Sequence, residues 1–74
     1  MNEIEPRLLY YYAQVDVISR LCYGVFTSTH ETANDALYEY VRIDSLDMSY
    51  DGKYYINGSW YEDAAGTIPW APTT

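Results

Sequence analysis

The chain carries one cysteine, Cys22, and one histidine, His30, the residue types that pair as nucleophile and base in covalent catalysis. Neither lies in a motif that would orient it. Cys22 sits between Leu21 and Tyr23 in an apolar run and reads as buried filler. His30, within Thr27-Ser-Thr-His-Glu-Thr32, reads as a solvated loop residue. The segment Asp44-Ser-Leu-Asp-Met-Ser-Tyr-Asp51 gathers carboxylates and hydroxyls as calcium sites do, but lacks the spacing of an EF-hand loop. Its aspartates are expected to fix turns through side-chain to backbone hydrogen bonds. Glu62 and Asp63 are adjacent, and neighbours on a strand point to opposite faces, which argues against a glycosidase dyad. These residues predict no enzyme, no metal and no cofactor.

Aromatic side chains are the better candidates for function. Ten tyrosines, two tryptophans and one phenylalanine make up 18% of the chain, more than a small core consumes. Tyrosine suits an interface because it combines a large apolar face with a hydroxyl at low entropic cost. The candidate binding residues are Tyr54, Tyr55, Trp60, Tyr61 and Trp70, with Ile68 and Pro69 supporting the tail. The same rings can instead hold a sheet together as cross-strand pairs, each contributing roughly 0.2–1 kcal/mol. Exposed and coplanar, they would bind a sugar.

The elements that must position these rings are strands. Leu8 to Val15 is tyrosine-rich and ends in alternating polar and apolar residues, which predicts a first strand. A turn follows over Asp16 to Ser19, with Val17 and Ile18 unusual for that role. From Arg20 to Ser28, strict alternation places Leu21, Tyr23, Val25 and Thr27 on one face and Cys22, Gly24 and Phe26 on the other. Gly24 is the expected bulge or close backbone contact. The polar stretch Thr29 to Ala36 reads as a loop. In a third strand, Leu37, Glu39, Val41 and Ile43 oppose a wetter face of Tyr38, Tyr40, Arg42 and Asp44. Lys53 to Ile56 and Ser59 to Glu62 flank Asn57-Gly58, the pair that a two-residue type I′ hairpin requires. That turn sets Tyr55 opposite Trp60 and Tyr54 opposite Tyr61.

The predicted fold is therefore all-β, a small antiparallel meander of about five strands. An extended N-terminal arm covers residues 1–7, the β module 8–62, and an extended proline-containing tail 63–74. Trp70, between Pro69 and Ala71-Pro72, is expected to dock in a groove on its own domain or on a neighbour. Seventy-four residues bury a thin core, so self-association or a partner chain is expected.

Eleven acidic against four basic residues give a net charge of −7, which argues against direct nucleic-acid binding by phosphate neutralisation. The carboxylates are scattered, as on a solvated surface, although an acidic imitation of nucleic acid uses the same charge. A single cysteine fits a reducing compartment. No apolar run is long enough for membrane insertion, and the acidic stretch Met1 to Pro6 is unlike a signal peptide.

The segments Tyr10-Tyr-Tyr-Ala-Gln-Val-Asp16, Leu21-Cys-Tyr-Gly-Val25, Val41-Arg-Ile-Asp-Ser-Leu-Asp-Met-Ser-Tyr-Asp-Gly-Lys-Tyr-Tyr55 and Asn57-Gly-Ser-Trp-Tyr-Glu62 occur in that order. In this they resemble small proteins and terminal modules of tailed-bacteriophage structural gene clusters. The resemblance covers about residues 10–62 and departs at the turn after Asp16, which is apolar here and usually polar in that group. It implies a non-enzymatic virion protein of a tail, fibre or head decoration, made in the bacterial host cytoplasm. Its implied partners are other virion proteins and further copies of itself, trimers being common in such appendages. Two alternatives from other classes are a small acidic phage inhibitor of a host defence protein and a carbohydrate-binding module for a host-surface glycan.

Overall fold

A computed structural model describes residues 9–72. The N-terminal arm, residues 1–7, lies outside them. Five antiparallel strands form two small sheets, as the all-β reading expects: β1 (Tyr10–Asp16), β2 (Cys22–Ser28), β3 (Tyr38–Ile43), β4 (Tyr54–Ile56) and β5 (Ser59–Tyr61). A single 3-10 turn, Met48–Tyr50, precedes β4. The first sheet has the order β2-β1-β3, so β1 is central, and the second is the β4-β5 hairpin. Among the described residues no helix is long and apolar enough to cross a membrane.

The turn between β1 and β2 accepts Val17 and Ile18 because Asp16 organises it from one end. The Asp16 carboxylate accepts hydrogen bonds from the Ile18 and Ser19 amides at 2.8 and 2.9 Å. Its geometry is therefore independent of the two apolar side chains, and Ile18 is left 88% exposed. Arg20 closes the turn in the left-handed region, at φ 67°.

Gly24, at φ 149°, marks the bulge expected there. Ala13 pairs with Val25, but Val15 pairs with Cys22, so β2 spends one residue more than β1 between these two pairs. Strict alternation along β2 thus fails. The extra residue reverses the pleat, and Cys22 joins Val25 on the face of Ala13 and Val15 rather than sharing a face with Phe26. That face is the core: Ala13, Val15, Cys22 and Ile43 are buried, with Tyr11, Val25, Val41, Tyr50, Tyr55 and Trp60 packed against them.

At the β4-β5 turn both central residues have positive φ, 51° at Asn57 and 84° at Gly58, as a type I′ turn demands. The register follows as expected, with Tyr54 opposite Tyr61, Tyr55 opposite Trp60 and Ile56 opposite Ser59. Arg20 couples the hairpin to the first sheet. Its Nε donates to the Tyr55 carbonyl at 2.8 Å, its guanidinium meets the Glu39 carboxylate at 2.6 Å, and its own carbonyl accepts from the Tyr55 amide at 3.0 Å.

The tail is extended only in part. Asp63 first bends it, because its carboxylate accepts from the Thr67 hydroxyl and from the Thr67 and Ile68 amides. Gly66 supplies the left-handed residue, φ 71°, that completes the bend. Extended backbone then returns beside β5: Glu62 donates to the Ile68 carbonyl at 2.9 Å, Tyr61 bridges Pro69, and the Trp70 amide donates to the Trp60 carbonyl at 3.0 Å.

Aspartates at these turns make stability depend on pH. Hydrogen bonds from Ser19 and Ile18 lower the pKa of Asp16, and those from Tyr38 and Leu37 lower that of Asp35. The Ser49 hydroxyl and amide act likewise on Asp47, and the Thr67 hydroxyl with the Ile68 amide on Asp63. Each carboxyl is more acidic folded than unfolded, so its contribution is complete above the ordinary aspartate value of 3.8 and is lost as the pH falls through the lower folded value. Urea midpoints should be level from about pH 7 to 5 and decline below about pH 4. The substitution D63N should flatten part of that decline.

Candidate functional site

The hairpin pleat sorts the candidate aromatic residues into two groups. Tyr55 and Trp60 share the inner face, with ring centroids 4.8 Å apart, and close over the core. Tyr50, presented by the 3-10 turn, meets Trp60 edge-on at 4.8 Å and Trp70 at 5.1 Å. Trp70 is thus taken up by its own domain, with the Lys53 ammonium 5.1 Å from its ring centroid. Tyr54 and Tyr61 share the outer face of the hairpin, and Pro69 lies against Tyr61. Ile68 is 53% exposed beside them.

A second aromatic layer was not legible in the sequence. On the face of the three-stranded sheet opposite the core lie Tyr10, Tyr12, Phe26, Tyr38 and Tyr40. Tyr12 packs on Phe26 at 5.6 Å, and Phe26 reaches over β1 to Tyr40 at 5.7 Å. Tyr10 and Tyr12 stack at 6.5 Å, and the Arg42 guanidinium sits 4.3 Å from the Tyr10 centroid. Tyr12 is buried, its hydroxyl accepting from the Thr32 amide in the loop that joins β2 to β3. The signal was present as alternate aromatic residues in the first and third strands, but only the order β2-β1-β3 brings them together.

Ring orientation bears on the sugar-binding alternative. The planes of Tyr50, Trp60 and Trp70 cross at 65° to 78°, and those of Tyr55 and Trp60 at 49°. Edge-to-face packing of this kind builds a core wall, whereas a sugar platform needs open, coplanar faces. The more nearly parallel pair, Tyr10 and Tyr12, has one ring buried and the other covered by Arg42.

Cys22 opens β2, and His30 lies two residues beyond its end. The strand between them rises about 3.3 Å per residue, which separates them by roughly 20 Å. The Cys22 thiol is buried and donates to the Gly24 carbonyl, and burial raises its pKa. A neutral thiol in that position is a packing group. Among the described residues, no three His, Cys, Asp or Glu side chains converge as metal ligands do. Asp47 of the acidic segment caps the 3-10 turn, its carboxylate accepting from the Ser49 amide and hydroxyl. Asp63 is likewise committed to the tail bend.

The described cations are engaged within the chain. Arg20 pairs with Glu39, Arg42 lies over Tyr10, and Lys53 lies over Trp70. Arg20–Glu39 is the only ion pair among the described residues. Apart from Glu39, the described carboxylates are without an ion-pair partner among the described residues, in keeping with the net charge of −7. An open cleft between Arg20, Glu39, Tyr55, Ile56, Asn57 and Gly58 adjoins the hairpin turn. Two of its polar groups already bond to each other. Comparison of the chain with protein-family models, curated proteins and solved structures gives no match.

Proposed function

We propose that this chain is a non-enzymatic accessory protein of a tailed-bacteriophage particle, docking on other virion chains in a tail, fibre or head decoration. The observation that carries the docking part is the distribution of tyrosine: of ten in the chain, only Tyr12 is buried. Of the other nine, Tyr11, Tyr50 and Tyr55 pack against the core, and all nine are at least partly open to solvent. The virion part rests on the order of the sequence motifs.

The contact is made by the outer face of the hairpin, Tyr54, Tyr61 and Pro69, with Ile68 beside it. Tyr55, Trp60 and Trp70 support that face from beneath. The occupant is a protein surface carrying lysine or arginine around an apolar centre. With the described cations already engaged, the carboxylates complement such a rim, and tyrosine faces accept cations as well as apolar groups.

Quantitative mass spectrometry of purified particles tests this proposal. A fixed ratio to the major capsid or tail protein is the expected result, and its value separates a head decoration from a tail component. Absence from particles would contradict it. Salt-sensitive capture of a basic host protein would then favour the acidic inhibitor.

A further inference from the structure

The sheet order leaves two outer edges, and they are treated differently. At the start of β3 the outward backbone groups are largely covered from within the chain, and further along the edge Arg42 carries a charge. The Tyr38 amide donates to the Asp35 carboxylate, the Asp35 amide donates to the Tyr38 carbonyl, and the Tyr40 amide donates to the Asn34 side chain at 2.8 Å. At the start of β2, Cys22 donates to the Lys53 carbonyl and accepts from the Gly52 amide. The Cys22 backbone therefore points away from β1.

The bulge preserves that direction further along. Val15, Ala13 and Tyr11, opposite Cys22, Val25 and Thr27, are two apart on β1 and turn their backbone groups to the same side. The N–H and C=O groups of Val25 and Thr27 consequently face outward as well. No turn, loop or tail backbone and no side chain among the described residues bonds to them. From Leu21 to Thr29 the sequence has no charge and no proline, the usual means of blocking an edge. The Gly24 bulge confines the open edge to Val25 through Ser28.

We infer that this edge joins two copies of the chain, with β2 pairing antiparallel to its counterpart about a two-fold axis. Val25 of each copy faces Thr27 of the other, and Phe26 lies on the axis. Both copies then satisfy the outward groups of Val25 and Thr27, and the interface closes on itself. A second copy is the fitting occupant because β2 is the uncharged one of the three strands in the first sheet. In a chain of net charge −7, this edge brings two copies together without setting like charges opposite each other. The expected self-association thereby acquires a site, and its symmetry is two-fold rather than three-fold.

Sedimentation of the whole chain from low micromolar to millimolar concentration, combined with amide hydrogen exchange, tests the inference. The protein should dimerise, and the Val25 and Thr27 amides should exchange more slowly as concentration rises. The substitution T27P removes an outward donor without removing a bond to β1, so it should abolish the dimer and leave the urea transition in place. Should T27P fail to fold, T27K tests the same edge with the backbone intact. A chain that stays monomeric, a dimer whose Val25 and Thr27 amides exchange independently of concentration, or a folded edge variant that still dimerises would each overturn the inference. Dimerisation through β2 by a protein absent from particles would retain the inference and remove the virion reading.

Discussion

Replacing Trp60 with alanine should destabilise the fold by about 3 kcal/mol, toward the lower end of the usual cost of removing a buried tryptophan because Trp60 is only partly buried. Its ring touches Tyr50 and Tyr55 at centroid distances of 4.8 Å and covers the cluster of Ala13, Val15, Cys22 and Ile43. Tyr55, its partner across the hairpin, is the other strand residue on that inner face. A domain of this size is stable by only about 5 kcal/mol or somewhat more, so the loss is a large fraction of the total. Urea denaturation followed by tyrosine fluorescence measures it. W70A should show a smaller loss in the same experiment, because Trp70 packs on Trp60 and Tyr50 from outside the core cluster. A W60A protein with an unchanged midpoint would mean that the hairpin does not roof the core.

The second large effect is expected at Arg20. R20A removes the contacts to Glu39 and to the Tyr55 carbonyl and should cost about 2 kcal/mol, the range for hydrogen bonds involving charged groups in a partly exposed setting. R20G removes the same contacts but relaxes the left-handed backbone, and should be milder than R20A by about 0.5–1 kcal/mol. E39Q keeps the size of the partner and isolates the charge. Equal losses for R20A and R20G would show that the backbone at this turn is unstrained in solution.

What could be read from the sequence was local. The Asn57-Gly58 hairpin and its register followed from the dihedral demands of a two-residue turn, which depend on two residues alone. β1 was legible from its tyrosines and its alternating end. The bulge was legible at Gly24, but its consequence was not. A single extra residue reverses the pleat, and only pairing with β1 shows that Cys22 and Val25 share a face. The Asp63 bend was not legible because the prolines of the tail favour extended chain, whereas the carboxylate caps amides four and five residues ahead. The aromatic layer of Tyr10, Tyr12, Phe26, Tyr38 and Tyr40 depends on strand order, which sequence alternation does not encode.

The candidate site was legible as a set of residues and not as a surface. All seven candidates lie in the hairpin and the returning tail, but the pleat turns Tyr55 and Trp60 inward and leaves Tyr54 and Tyr61 outward. Trp70, a natural choice for a free anchor, is held by Tyr50, Trp60 and Lys53. Its removal is therefore a test of stability more than of docking.

The most direct test of the docking claim is a particle-retention measurement on the double variant Y54S/Y61S. Both rings lie on the outer face, and their mutual pair contributes no more than about 1 kcal/mol to the sheet. The variant should remain folded, with a cooperative urea transition only modestly shifted. Its amount per particle, measured by mass spectrometry against wild type, should fall severalfold. Unchanged incorporation of a folded Y54S/Y61S protein would contradict docking through the outer face of the hairpin.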